Sequence, residues 1–184
     1  MKPVLLFLGV LNNDDLDWMI LKGIKETIAP GKVLIQEGKA IDAFYIVVSG
    51  SFSVRIESLE NKELAELARL FSGEIVGEVS FIDARPPLAT VRAETESLVL
   101  SIPRLQLNAK LQQDTGFAAR FYHAIAICLS DRLRGTVSRL GYGMELEELE
   151  DQKDSFEQGI TGNMDLARVK FEWLVNGVKG RKGS

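Results

Sequence analysis

Phe71-Ser72-Gly73-Glu74-Ile75-Val76-Gly77-Glu78-Val79-Ser80-Phe81-Ile82-Asp83-Ala84-Arg85-Pro86-Pro87-Leu88-Ala89-Thr90-Val91-Arg92-Ala93 is the stretch on which the fold turns. Gly73 and Gly77 sit where backbone can come close to a bound group, because glycine lacks the Cβ that would hold it off. Main-chain N–H groups bared in this way, together with the partial positive charge of a helix start, favour an anion. The carboxylate of Glu78 lies beside them and can accept a hydrogen bond from a sugar hydroxyl. Arg85 and Thr90 follow near the end. A loop of this composition suits a small sugar phosphate.

On either side of the loop, short apolar runs alternate with glycine and polar turns. Residues 33–35, 43–48, 52–56, 65–70, 89–93 and 98–102 are six strand candidates. In Phe52-Ser53-Val54-Arg55-Ile56 the apolar residues alternate, the period of a strand with one wet face. Ala29-Pro30-Gly31-Lys32, Gly50-Ser51 and Glu60-Asn61-Lys62 read as turns. Closely spaced strands of this kind indicate a sandwich or a barrel-like roll. Outside this region the period becomes helical. Val4 to Leu11 reads as a buried helix, and Leu16, Met19, Ile20 and Ile24 give a helix over 16–25 with Asn13 or Asp14 as its cap. Residues 104–111 form a short helix after Pro103. Phe117, Phe121, Ile125, Leu129 and Leu133, spaced by four, mark a long helix from Phe117 to about Leu140, which Gly141-Tyr142-Gly143 breaks.

Taken in order, these motifs resemble the cyclic nucleotide-binding domain family. Gly77-Glu78-Val79-Ser80-Phe81-Ile82 is similar to the front of that family's phosphate-binding cassette, and Ala89-Thr90-Val91 to its end. Pro30 to Gly38 and Asp42 to Gly50 resemble the first strands and turns, and Leu98 to Pro103 the last strand. The resemblance covers roughly residues 5–140. It implies a mainly β fold, an eight-stranded β-roll of the double-stranded β-helix or jelly-roll type, with N-terminal helices and a long C-terminal helix. In the family that helix covers the pocket, and in bacterial members it packs against its twin in a dimer. The ligand implied is cyclic AMP or cyclic GMP, with no other cofactor. The binding residues implied are Gly77 and Glu78 for the ribose, Val79, Ser80, Leu88 and Ala89 toward the phosphate, and Thr90 toward base or phosphate.

One departure from the family pattern stands out. With both halves of the cassette aligned, the phosphate arginine falls on Pro87, which has neither a guanidinium nor an N–H. A charge-assisted hydrogen bond is worth about 1.5–3 kcal/mol, so its loss weakens binding by roughly one to two decades. Arg85, two residues earlier, is either a substitute cation or a solvated loop arginine.

Composition narrows the function classes. The 46% hydrophobic and 26% charged content is that of a folded globular chain. A net charge of −4 argues against broad nucleic-acid binding, and Arg132, Arg134 and Arg139 are the best basic cluster on offer. Residues 144–178 open with the acidic run Glu145, Glu147, Glu148, Glu150, Asp151 and Asp154, and carry no recognition helix, which argues against DNA as a partner. Cys128 is the single cysteine, so no internal disulfide forms, and its apolar neighbours make it a core residue in a reducing compartment. His123 has no second ligand at metal spacing. The apolar N-terminus lacks a cleavage site and is too short to span a bilayer, so no membrane insertion is expected and the location is cytoplasmic. No nucleophile elbow, phosphate loop or metal motif points to an enzyme.

The chain therefore divides into a cyclic nucleotide-binding-like domain at 1–140 and, at 141–184, an acidic linker with a short amphipathic extension suited to docking. The expected function is a regulatory sensor that couples ligand in the roll to movement of the long helix and contact with a protein partner, as a homodimer through 117–140. The alternative is an interaction or dimerisation module that has lost its ligand, as Pro87 suggests. A transcriptional regulator is a third and weaker reading.

Overall fold

A computed structural model describes residues 3–57, 64–139 and 164–181. Its strands are β1 (Ile24–Ile28), β2 (Val33–Ile35), β3 (Ala43–Ser49), β4 (Ser51–Glu57), β5 (Leu64–Phe71), β6 (Ile75–Val76), β7 (Thr90–Ala93) and β8 (Ser97–Pro103). They pair antiparallel in two four-stranded sheets, ordered β1-β8-β3-β6 and β2-β7-β4-β5. The helices are α1 (Pro3–Val10), α2 (Asn13–Lys22), α3 (Glu78–Asp83), α4 (Arg104–Gln113), α5 (Thr115–Arg139) and α6 (Met164–Gly180). The eight-stranded roll with flanking helices expected from the sequence is the fold. The Glu60-Asn61-Lys62 turn, the Gly141-Tyr142-Gly143 break and the acidic run lie outside the described residues.

β3 is central because both its faces are covered. Phe44, Ile46 and Val48 join a cluster with α1, α2, α4, α5 and α6, while Val47 packs between the sheets with Phe52, Val91 and Val99. Residues of alternate parity point to opposite faces of a strand, so one apolar run supplies two cores. Helix α1 is apolar all round and buried from Pro3 to Leu8, as a helix without a polar face must be.

Two expectations need correction. The helix expected over 16–25 ends at Lys22, and Ile24–Ile28 is strand β1, paired with β8. Gly23 is the reason. A Cβ there would lie 2.5 Å from Leu100 Cδ1 and 2.7 Å from the Met19 carbonyl oxygen, so only glycine lets the chain leave the helix this close to β8. At its start the cap is Asn12, whose side chain accepts from the Asp15 N–H while the Asp15 carboxylate accepts from the Asn12 N–H. On α5 the buried stripe is Phe117, Phe121, Ala124, Ile125, Ile127 and Cys128, and Leu133 is 64% exposed. A strict spacing of four drifts off the core face, because the helix repeats every 3.6 residues.

Helix α6 is clasped to the N-terminal helices by exchanged caps. The Lys170 ammonium is buried and donates to the carbonyls of Leu8 at 3.2 Å and Leu11 at 2.5 Å, where α1 ends. The Arg181 guanidinium donates to the carbonyls of Ile20, Leu21 and Gly23 at the end of α2. Lys25 in turn donates to the carbonyls of Lys179 at 3.1 Å and Arg181 at 3.0 Å. Cations at helix C-termini satisfy carbonyls that the helix itself leaves unpaired. Burial lowers the pKa of Lys170, and the Asp15 carboxylate opposes that shift.

Lys170→Met keeps the length of the side chain but strips two buried carbonyls of their donor. We expect it to cost about 1–3 kcal/mol, read as a lower urea midpoint at unchanged slope. An unchanged midpoint would mean that the clasp contributes nothing to stability.

Candidate ligand-binding site

Helix α3 and the loop after it wall a cavity of about 270 Å³ inside the roll. Gly77, which precedes α3, has φ +89°, and a Cβ on it would lie 2.8 Å from Ile41 Cδ1 and 3.2 Å from the Ala43 carbonyl oxygen. The glycine is thus required by the left-handed turn and by the close approach to β3. The rest of α3 is pinned from below. The Arg104 guanidinium donates to the Ser80 carbonyl at 3.2 Å and the Phe81 carbonyl at 3.3 Å, and lies 5.2 Å from the centre of the Phe81 ring. The following loop is tied down by the Gly38 N–H, which donates to the Pro87 carbonyl at 2.9 Å.

Of the residues expected at the site, Gly77, Glu78, Val79, Ser80, Arg85, Leu88 and Ala89 line this cavity. Thr90 is not among its lining residues, and its hydroxyl accepts from the Glu37 N–H at 3.1 Å. Pro87 is on the wall, between Pro86 and Leu88. The Arg85 side chain is 83% exposed and lies 3.8 Å from the Asp83 carboxylate. Ile35, Val54, Leu70, Val76 and Val91 supply an apolar floor and sides.

Glu78 is the polar centre. It is 2% exposed, and its carboxylate accepts from the guanidinium of Arg132 on α5. The same guanidinium donates to the Ile75 carbonyl at 2.5 Å and stands 3.7 Å from the Glu74 carboxylate. Burial pushes the Glu78 carboxyl above the ordinary carboxylate range, against the pull of Arg132 and of its own backbone N–H. Glu74 is raised for the same reason, again opposed by Arg132. Ser80, also buried, has its carbonyl held by Arg104.

Arg132 was legible only as part of a basic cluster with Arg134 and Arg139, yet here it turns into the domain. A signal for this did exist. Arg132 lies four positions after Cys128, so it continues the buried stripe of α5 by one turn and falls on its core face. A second link joins the same elements: the rings of Phe81 on α3 and Phe121 on α5 meet edge to face, with centroids 5.7 Å apart. Helix α3 thus touches α5 at Phe121 and again at Arg132, three turns further along. Among the described residues no group of His, Cys, Asp and Glu side chains could hold a metal ion, and no helix is long and apolar enough to cross a membrane.

Comparison with known proteins agrees with this fold. Residues 25–114 match the family model described as cyclic nucleotide-binding domain. The chain is 32% identical over 116 residues to potassium channel AKT1 of Oryza sativa subsp. indica, an overlap of 62% of this chain and 12% of the channel. It is 36% identical over 77 residues to the cAMP-dependent protein kinase regulatory subunit of Yarrowia lipolytica, covering 42% of this chain and 20% of that protein. The chain thus spans a small part of the curated relatives it matches. A cyclic nucleotide-binding domain from Methylobacillus flagellatus KT superposes with a TM-score of 0.68 at 20% identity, over 79% of this chain and 85% of that one, a likeness of fold. Sequence motifs, roll topology and the position of Glu78 converge, and residues 25–114 belong to the cyclic nucleotide-binding domain family.

Proposed function

We propose that the chain is a cytoplasmic regulatory sensor whose roll takes a cyclic nucleotide and whose α5 helix reports its presence. The observation that carries this reading is the double tie between α3 and α5, Phe81 on Phe121 and Glu78 on Arg132. A ligand that engages Glu78 competes for a group that α5 already uses, so the two positions of α5 differ in ligand affinity, as a switch requires. In this reading Glu78 accepts from the ribose hydroxyl, and Gly77, Val79, Ser80, Leu88 and Ala89 surround the cyclic phosphate. Arg85 approaches it from the mouth, and Thr90 lies behind the wall. Relatives that carry such a domain include a kinase regulatory subunit and a channel, by their names, and the present chain would serve a protein partner in the same regulatory capacity.

A second reading rests on a specific observation. Proline replaces the phosphate arginine and Arg132 already occupies one carboxylate oxygen of Glu78, as in a domain that has become a ligand-free interaction module. In either case we propose that the outward face of α5, where Leu133 and Val137 are exposed, pairs with a second copy. Light scattering of the purified chain should then give the mass of two chains, and the mass of one would contradict this pairing.

Calorimetric titration with cyclic AMP and cyclic GMP separates the two readings. The sensor reading predicts a dissociation constant in the micromolar range for one nucleotide, weakened roughly tenfold or more in Glu78→Gln, since a neutral amide accepts less strongly than a carboxylate. Arg85→Ala weakens it if Arg85 meets the phosphate, and leaves it unchanged if that arginine is only solvated. No heat with either nucleotide, from a folded sample, favours the ligand-free module.

A further inference from the structure

The charged groups that line the cavity are Glu78, Asp83, Arg85 and Arg132, two acids and two bases. Each base already faces an acid: Arg85 lies 3.8 Å from Asp83, and Arg132 is bonded to Glu78 and stands 3.7 Å from Glu74. A cyclic nucleotide brings one more negative charge, and Pro87 offers its phosphate neither a cation nor an N–H. Anions are not buried beside carboxylates without a compensating charge. The compensation must therefore come from a cation already inside the cavity. Arg85 is 83% exposed and stands at the mouth, whereas the Arg132 side chain is 34% exposed and reaches the interior.

From this we infer that Arg132 is the phosphate-binding cation of this domain, recruited from Glu78 when ligand enters. The step is an exchange of partners and rests on the reading of the cavity as a cyclic nucleotide site. The ribose hydroxyl takes the place of the guanidinium on Glu78, and the freed guanidinium forks onto the cyclic phosphate. Glu78 keeps a donor in the ribose hydroxyl and Arg132 keeps an anionic acceptor; the Ile75 carbonyl gives up its guanidinium donor, and the positive charge that faced Glu78 then faces the phosphate. A planar guanidinium suits the second role, because it can present two parallel N–H donors to two phosphate oxygens. Its flexible stem lets one side chain serve either partner without α5 unwinding. The same exchange loosens α5 from Glu78, so the residue that neutralises the ligand is also the one that registers it.

The test compares cyclic AMP with adenosine, which has the same base and ribose but no phosphate, in wild-type, Arg132→Gln and Arg132→Lys proteins by calorimetry. Wild type should prefer cyclic AMP. Arg132→Gln should lose that preference by roughly ten- to a hundredfold, the worth of a charge-assisted hydrogen bond. Adenosine should bind it as well as before or better, since Glu78 is released. Arg132→Lys keeps the charge without the fork and should lose several-fold; it decides the matter if removal of the guanidinium from the buried Glu78 leaves Arg132→Gln unfolded. Two outcomes overturn the inference. If cyclic AMP keeps its full preference over adenosine in both variants, Arg132 does not meet the phosphate. If both ligands tighten equally in Arg132→Gln, Arg132 only blocks Glu78. Absence of heat with either ligand in folded wild type and variants instead removes the nucleotide reading itself, and the inference with it.

Discussion

A carboxylate buried in the wall of an apolar cavity is costly unless something charged faces it, and in this chain that something is Arg132. The pair joins the cavity-lining helix α3 to the long helix α5 across 54 residues of sequence. Neither partner can be altered without consequence for the other. Removal of the arginine leaves an unpaired buried charge, and removal of the glutamate releases a guanidinium toward the cavity. The need to keep Glu78 neutralised therefore ties α5 to α3 beyond the apolar packing of its buried stripe.

The remainder of the fold serves to hold those two helices in register. β3 supplies one face to the inter-sheet core and the other to the helical layer, so the two cores share one strand. Arg104 fixes the far end of α3 from the start of α4, and Phe81 hands its packing to Phe121, which itself touches Phe7, Phe44 and Phe117. Behind α1, helix α6 closes the layer through Lys170 and Arg181. The free thiol of Cys128 sits within this packing, buried and donating to the Pro3 carbonyl at 3.4 Å, with its pKa pushed up to about 12 by burial. An interior so closely filled moves by shifting whole elements rather than by yielding locally.

Much of this was legible in the sequence, and the exceptions have physical causes. β3, β4, β7 and β8 announced themselves because apolar residues alternate or run between glycines. β1 did not, because Ile24 follows Ile20 at a spacing of four and continues the helical rhythm; only Gly23 marked the stop, and its role depends on Leu100 in a strand distant in sequence. β6 has two residues, too few to carry a period. At the site, Gly77 and Glu78 could be read from a local motif, since the turn that needs them is local. Arg132 carried only its place one turn beyond Cys128 on the core face of α5; its partner is remote, and arginine on a helix is ordinarily solvated. Arg104 was missed in the same way, as its carbonyl partners on α3 leave no mark in the sequence around it.

The central claim is that occupancy of the roll is registered by α5 through Glu78 and Arg132. It is tested most directly by a distance across that contact. With Cys128→Ser removing the native thiol, spin labels introduced by Glu96→Cys, on the exposed turn between β7 and β8, and Val137→Cys, at the exposed end of α5, report the separation of helix and roll by pulsed electron resonance. Saturation with cyclic AMP should shift the distance distribution. An unchanged distribution, with the nucleotide shown to be bound in the same sample, would contradict the coupling.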